Sequence, residues 1–107
     1  MRGAALVLLA SSCLGALAAD PPPGRGKARQ CAVCHGPLGV SSAPDAPNLA
    51  GQPRVYLEAQ LKAFRDGKRV HQVMTVIARP LTDADISDLA QWYSSLVVEV
   101  KEPPGGP

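Results

Sequence analysis

The chain reads as one small all-α domain, and three observations predict that class. Apolar residues recur with a helical period in two segments, near 54–66 and 83–97. The second segment is announced by a capping signal, Thr82 with Asp85 three residues on. No alternating run has a partner run to pair with; Val97, Val98 and Val100 are β-branched but simply follow the last helical pattern. At 107 residues there is room for one domain at most.

Composition narrows the function classes. No apolar run reaches the roughly 18–20 residues that span a bilayer, which excludes a membrane bundle. The formal net charge of +2 suggests neither a polyanion-binding tail nor an acidic disordered chain, and no nucleic-acid partner is expected. Aromatics make up only 4% of the chain, so the core is thin. Small domains with thin cores commonly need a disulfide, a metal or a cofactor.

Taken in order, residues 1–19 have the pattern of a secretory signal peptide. Arg2 is the basic start, residues 4–10 are apolar, and Ala16-Leu17-Ala18 is a small-residue cleavage site. Ser11, Ser12 and Gly15 interrupt the stretch, which weakens a retained anchor. Ala10-Ser11-Ser12-Cys13 is a poor lipidation signal. The expectation is export to the periplasm without stable membrane insertion, leaving a domain over 20–100 and a disordered tail over 101–107. Cys13 leaves with the signal, so Cys31 and Cys34 face an oxidising compartment.

Residues 20–25 form a Pro-rich lead-in, and 26–33 are compatible with a short helix. Residues 36–51 are dense in Gly, Pro and Ser and must be a loop. Structureless loops of about 16 residues are uncommon in compact domains and usually serve a function. This one is expected to wrap something other than protein. Pro53 is expected to open the next helix at its first position, where a missing N–H is harmless, and Gly67 to stop it. Leu57, Gln60, Leu61 and Phe64 share its inner face, whereas Lys62, Arg65, Lys68 and Arg69 form a cationic side that could steer an acidic partner or merely be solvated. Residues 71–78 suit one or two helical turns before Pro80. In the last helix Ile86, Leu89, Ala90, Tyr93, Leu96 and Val97 make the apolar stripe, with Trp92 at its edge as partly buried packing. Tyr56 is expected in the core, with the cofactor pocket as the alternative.

Cys31-Ala32-Val33-Cys34-His35 is the strongest chemical signal. Two Cys three apart, followed at once by His, is the attachment pattern of c-type haem. The spacing lets two thiols meet the two vinyl groups on one porphyrin edge while the imidazole sits under the iron. The rivals are weaker. A redox Cys-x-x-Cys belongs beside a βαβ pattern, which is missing here. Structural zinc needs about four ligands, and only Cys31, Cys34, His35 and His71 are on offer. A plain disulfide is a small staple for this composition. Given haem, the sixth ligand is Met74, the methionine that survives signal removal, since Met opposite His is the pairing of electron carriers. His71 competes and would give a lower potential, but the favoured reading of it is an exposed or propionate-contacting histidine. A ligating His usually donates its other N–H to a fixed acceptor. The carbonyl of Pro47 is one candidate, and that of Pro44 would serve as well.

With these residues in view, the sequence resembles a class I cytochrome c of the short, monohaem bacterial type, similar to one half of the diheme c-four type cytochromes. The matching pieces are CAVCHG at 31–36, Gly39, PNLAGQ at 47–52, YLEAQLKAFRDGKR at 56–69, Met74 and LTDADISDLAQWYSSL at 81–96. The resemblance implies three main helices plus a short helix, with a long loop wrapping one covalently bound haem c. It implies thioethers at Cys31 and Cys34, iron ligated by His35 and Met74, and Pro47 as the acceptor for the proximal imidazole. It also implies a crossing of the first and last helices, with small Gly24, Gly26 and Ala28 opposite the face of Tyr93 and Leu96. With a single Cys-x-x-Cys-His the chain holds one haem, and it lacks the extra Cys pair of the c-five type.

The expected function is therefore a periplasmic, monomeric one-electron carrier rather than an enzyme. Its donor would be a membrane reductase or dehydrogenase and its acceptor an oxidase or reductase. Two alternatives remain open: a dedicated cytochrome subunit of one enzyme complex, or a ligand-binding or sensing haem protein if Met74 is not a ligand.

Overall fold

The computed structural model describes Met1, Gly15 and residues 18–106. The signal-peptide reading, Cys13 included, falls largely outside the described residues. Among the described residues there are five α-helices, one 3-10 helix and no strand: α1 (Gly24–Lys27), the 3-10 helix (Ala28–Gln30), α2 (Ala32–His35), α3 (Arg54–Arg65), α4 (Met74–Ala78) and α5 (Asp83–Ser95). None of them is long and apolar enough to cross a membrane.

The predicted first helix is a broken one. Its α1, 3-10 and α2 pieces follow one another with right-handed helical backbone at the junctions Ala28 and Cys31. Propensity does not account for the break, since Gly24 and Gly26 lie within α1 and the 3-10 piece is made of the good helix formers Ala28, Arg29 and Gln30. Gly36 then ends the run at φ +83°, and a Cβ there would sit 2.0 Å from the Val40 carbonyl oxygen, so no larger residue fits.

The α1 piece packs on α5, α5 on α3, and α3 on α4. At the α1–α5 crossing a Cβ on Gly24 would lie 1.9 Å from the Asp88 carbonyl oxygen and 2.8 Å from the Trp92 Cβ. The two backbones meet because Gly24 has no side chain. The expected crossing is thus present, but displaced. Gly26 faces open space, and Asp88 with Trp92, rather than Tyr93 and Leu96, receives Gly24. Lys27 locks the same junction from outside, with Nζ 2.7 Å from both Asp85 Oδ1 and Asp88 Oδ2.

The core comprises Ala28, Leu57, Leu89, Ala90, Trp92 and Tyr93, with Cys31, Leu49, Leu61, Leu81 and Leu96 packed against it. Four expectations need correction. Val97 is 92% exposed because α5 ends at Ser95 and the chain turns extended at Leu96. Tyr56 is 48% exposed, in the first turn of α3, and is not part of the protein core. Trp92 is buried rather than marginal, under the Arg25 guanidinium 5.8 Å from its ring. Pro53 caps α3 from outside, in an extended conformation at ψ 133°, instead of occupying the first helical position.

The Thr82 capping box forms as predicted: Asp85 N–H donates to Thr82 Oγ1 at 3.1 Å and Thr82 N–H donates to Asp85 Oδ2 at 3.0 Å. The cationic side of α3 is partly neutralised. Arg65 pairs with Asp66 and Asp83, and Arg69 lies 4.5 Å from the centre of the Phe64 ring while bonding Gln60. Residues 101–106 are exposed and form neither helix nor strand.

Candidate functional site

The site begins where the broken first helix ends. Cys31 immediately precedes α2, Cys34 lies within it, and His35 is its last residue. Cys31 is half-buried and Cys34 exposed, and the two are not joined in a disulfide. Burial pushes the Cys31 thiol up, against a smaller opposite pull from the neighbouring Tyr93 hydroxyl. Burial likewise raises Tyr93.

His35 is 6% exposed, the one buried polar or charged residue among the described residues. Its Nδ1 lies 2.8 Å from the carbonyl oxygen of Pro47. A carbonyl only accepts, so Nδ1 carries the proton and donates it. In the neutral imidazole that leaves Nε2 unprotonated, with its lone pair available to a Lewis acid. An imidazole whose inner N–H is fixed on a backbone carbonyl has the orientation and basicity of a metal ligand. Pro47 rather than Pro44 supplies the acceptor.

The long loop is not structureless once its hydrogen bonds are followed. Leu49 and Ala50 N–H groups donate to the Gly39 carbonyl at 2.7 and 3.0 Å. Gly51 N–H donates to the Tyr93 carbonyl at 2.9 Å, which ties the loop to α5. Ser41 N–H donates to Asn48 Oδ1 at 2.7 Å, and Ser41 Oγ donates to the Cys34 carbonyl at 2.9 Å. Ser41 therefore joins α2 to the residue beside Pro47. Sequence reasoning missed this pair. Asn and Ser near prolines signal local side-chain turns, but not which distant carbonyl they reach.

Met74 opens α4, half-buried, on a helix that packs against α3. Cys31, Cys34, His35 and Pro47 thus form one arm, and Met74 rides on another. His71 is exposed, with its ring edge-on to Phe64 at a centroid distance of 6.5 Å. Its Nδ1 accepts from the N–H groups of Val73 and Met74, both at 3.2 Å. The zinc alternative has no support, since no three His, Cys, Asp or Glu side chains converge among the described residues.

Comparison with known proteins agrees with this chemistry. A family model described as cytochrome c matches residues 25–96. Cytochrome c-554(548) of Halomonas halodenitrificans is 46% identical over 81 residues, covering 73% of this chain and 98% of that protein. A thiosulfate dehydrogenase electron acceptor of Thiomonas intermedia is 41% identical over 106 residues, covering 91% of this chain and 47% of its own length. The crystal structure of reduced recombinant cytochrome c4 from Pseudomonas stutzeri superposes with a TM-score of 0.69 at 38% identity, over 78% of this chain and 48% of that one. The chain spans about half the length of these last two relatives and nearly all of the first. A helical domain that ends a short helix on Cys-x-x-Cys-His, and matches these proteins over most of its length, belongs to the cytochrome c family: an electron-transfer protein whose cofactor is a single covalent haem c.

Proposed function

We propose that the chain is a periplasmic one-electron carrier whose haem iron is held by His35 and Met74, with thioether links at Cys31 and Cys34. When bound, haem c supplies a one-electron couple at its iron. The protein's own residues do the rest. Cys31 and Cys34 fix the position of the group, His35 Nε2 presents a lone pair, and the Pro47 carbonyl holds the ring so that this lone pair does not swing away. A Met ligand paired with His favours the reduced state and raises the potential. Two protein ligands also leave no open position for a substrate, which suits electron transfer rather than catalysis.

The observation that carries this reading is the buried His35 ring with Nδ1 committed to Pro47. The signal-like residues 1–19 support export, and covalent haem attachment suits an oxidising compartment. Donor and acceptor are redox proteins: a membrane reductase or dehydrogenase on one side, an oxidase or reductase on the other. They would dock through small, short-lived interfaces, as electron-transfer partners do. The visible spectrum tests the reading. A sharp c-type α band on reduction is expected, with the weak far-red sulfur–iron band when oxidised. Loss of the far-red band would remove Met74 from the iron. Carbon monoxide binding by the reduced protein would then favour a sensing role.

One observation favours a second reading, a dedicated subunit of a single enzyme. The Thiomonas intermedia relative is named for accepting electrons from thiosulfate dehydrogenase and matches 91% of this chain. Stable co-purification with one dehydrogenase would support that role, and exchange among several partners would support the general carrier.

A further inference from the structure

The α4 helix is only five residues long, Met74–Ala78. Isolated helices of this length do not persist in water, because nucleation is costly and the terminal N–H groups lack partners. Its N-cap is Val73, which has no side-chain acceptor to offer. Something else must hold the turn that begins with Met74.

The residue that does so lies two positions further back. His71 Nδ1 accepts from Val73 N–H and Met74 N–H, both at 3.2 Å. In return, His71 N–H donates to Thr75 Oγ1 at 2.9 Å, and Thr75 N–H donates to the His71 carbonyl at 3.0 Å. The two side chains reciprocally satisfy the N–H groups of His71, Val73 and Met74 itself, in the manner of a capping box displaced outside the helix. The imidazole is also anchored sideways. It stands at 72° to Phe64, which is buried on α3 at 8% exposure. A chain of contacts therefore runs from the core through Phe64 and His71 to the Met74 amide.

We propose that His71 and Thr75 form a latch that positions Met74 for the iron, so that His71 is a positioning residue and not a rival ligand. The inference rests on the reading of Met74 as an axial ligand. The hydrogen-bond pattern separates the two roles of His71. Backbone N–H groups only donate, so Nδ1 must be the unprotonated nitrogen and Nε2 holds the proton. Ligation through Nε2 would require that proton to leave or to move to Nδ1, and a proton on Nδ1 would break both bonds to the Met74 turn. His71 can latch or ligate, but the arrangement present is the latch.

The test uses the intact holoprotein and two variants. His71→Ala deletes the acceptor. His71→Asn keeps one, since Asn Oδ1 hangs from Cγ as His Nδ1 does. The readouts are the far-red sulfur–iron band of the oxidised protein and its affinity for added imidazole, which must displace Met74 to bind. His71→Ala should bind imidazole about fivefold more tightly, the scale of a lost side-chain cap, and show a weakened far-red band. His71→Asn should stay within about twofold of wild type, because Asn is itself a strong capping residue. Thr75→Val, a second route to opening the latch, should move in the same direction as the alanine variant. The latch is overturned if His71→Ala matches wild type, or if His71→Asn behaves like His71→Ala. Absence of the far-red band from wild type itself would instead overturn Met74 ligation, whatever the variants do. Far-ultraviolet circular dichroism on each variant separates a displaced Met74 from a protein that has not folded.

Discussion

The attachment arm, residues 28–47, and the methionine arm, residues 71–78, face the same task with different means. The attachment arm is built into the body of the protein. Ala28 and His35 are buried, Lys27 just ahead of the arm reaches Asp85 and Asp88 on α5, and the loop that carries Pro47 is tied at Gly51 to the Tyr93 carbonyl. The methionine arm relies on its neighbours. Its His71 and Thr75 bonds reach no further than four residues along the chain, and its link to the body is the packing of α4 on α3. Buried Ala78 is its firmest attachment. Here the His35 side is tied to distant parts of the fold, whereas Met74 sits on a segment held mainly by local bonds.

The sharpest way to break this comparison is to remove one ligand from each arm. His35→Ala should abolish the low-spin c-type spectrum and most recoverable holoprotein. Met74→Ala should retain covalent haem and its α band, lose the far-red band, and go from negligible to stoichiometric carbon monoxide binding when reduced. Equal damage from the two variants would refute the asymmetry. A smaller effect is expected at the helix crossing. Gly24→Val forces side-chain atoms into the Asp88 carbonyl, already 1.9 Å from a simple Cβ. Overpacking of this kind costs about 3 kcal/mol, read as a lower thermal midpoint with the ligand spectrum unchanged in the folded fraction. Thr82→Ala removes the cap of α5 and should cost about 1 kcal/mol by denaturant titration, without moving either axial ligand.

The smallest effect concerns pH. Asp85 is held down to about 2, first by its hydrogen bond with Lys27 and then by those with Thr82. Its unfolded value is about 3.9. A carboxyl lowered in the folded state adds stability above its unfolded pKa and loses that contribution as pH falls toward the folded one. Asp85→Asn should therefore melt lower than wild type at neutral pH, with the gap closing between about pH 4 and 2. Because the group is partly exposed, added salt should narrow the gap as well. A gap that persists unchanged into acid would show that the Lys27 pair adds nothing to the α1–α5 junction.

Much of this was legible beforehand because it is local. Cys31, Cys34 and His35 declare their chemistry by spacing alone, and Thr82 with Asp85 declares a helix start, since a capping box closes over four consecutive residues. The α3 stripe of Leu57 and Phe64 follows from a period of 3.6 residues. Val97 misled because periodicity does not say where a helix stops, and the chain leaves α5 at Leu96. Tyr56 misled because an aromatic next to an apolar stripe is not thereby on it. His71 could be read as a rival ligand or as an exposed, propionate-contacting side chain but not as a cap, because histidine is not among the usual capping residues and its partners are backbone amides.

By itself, then, the sequence determined the helical class, the cofactor chemistry at 31–35, the start of α5 and the stop of α3 at Gly67. Each depends on residues within a turn or two of one another, where backbone geometry is nearly the same in every protein. Only the tertiary structure decided that Pro47 and not Pro44 receives the His35 proton, that Gly24 and not Gly26 admits α5, and that His71 turns its Nδ1 to the Met74 amide. Those choices depend on how distant segments close on one another, and the entropy and packing of that closure are properties of the whole chain.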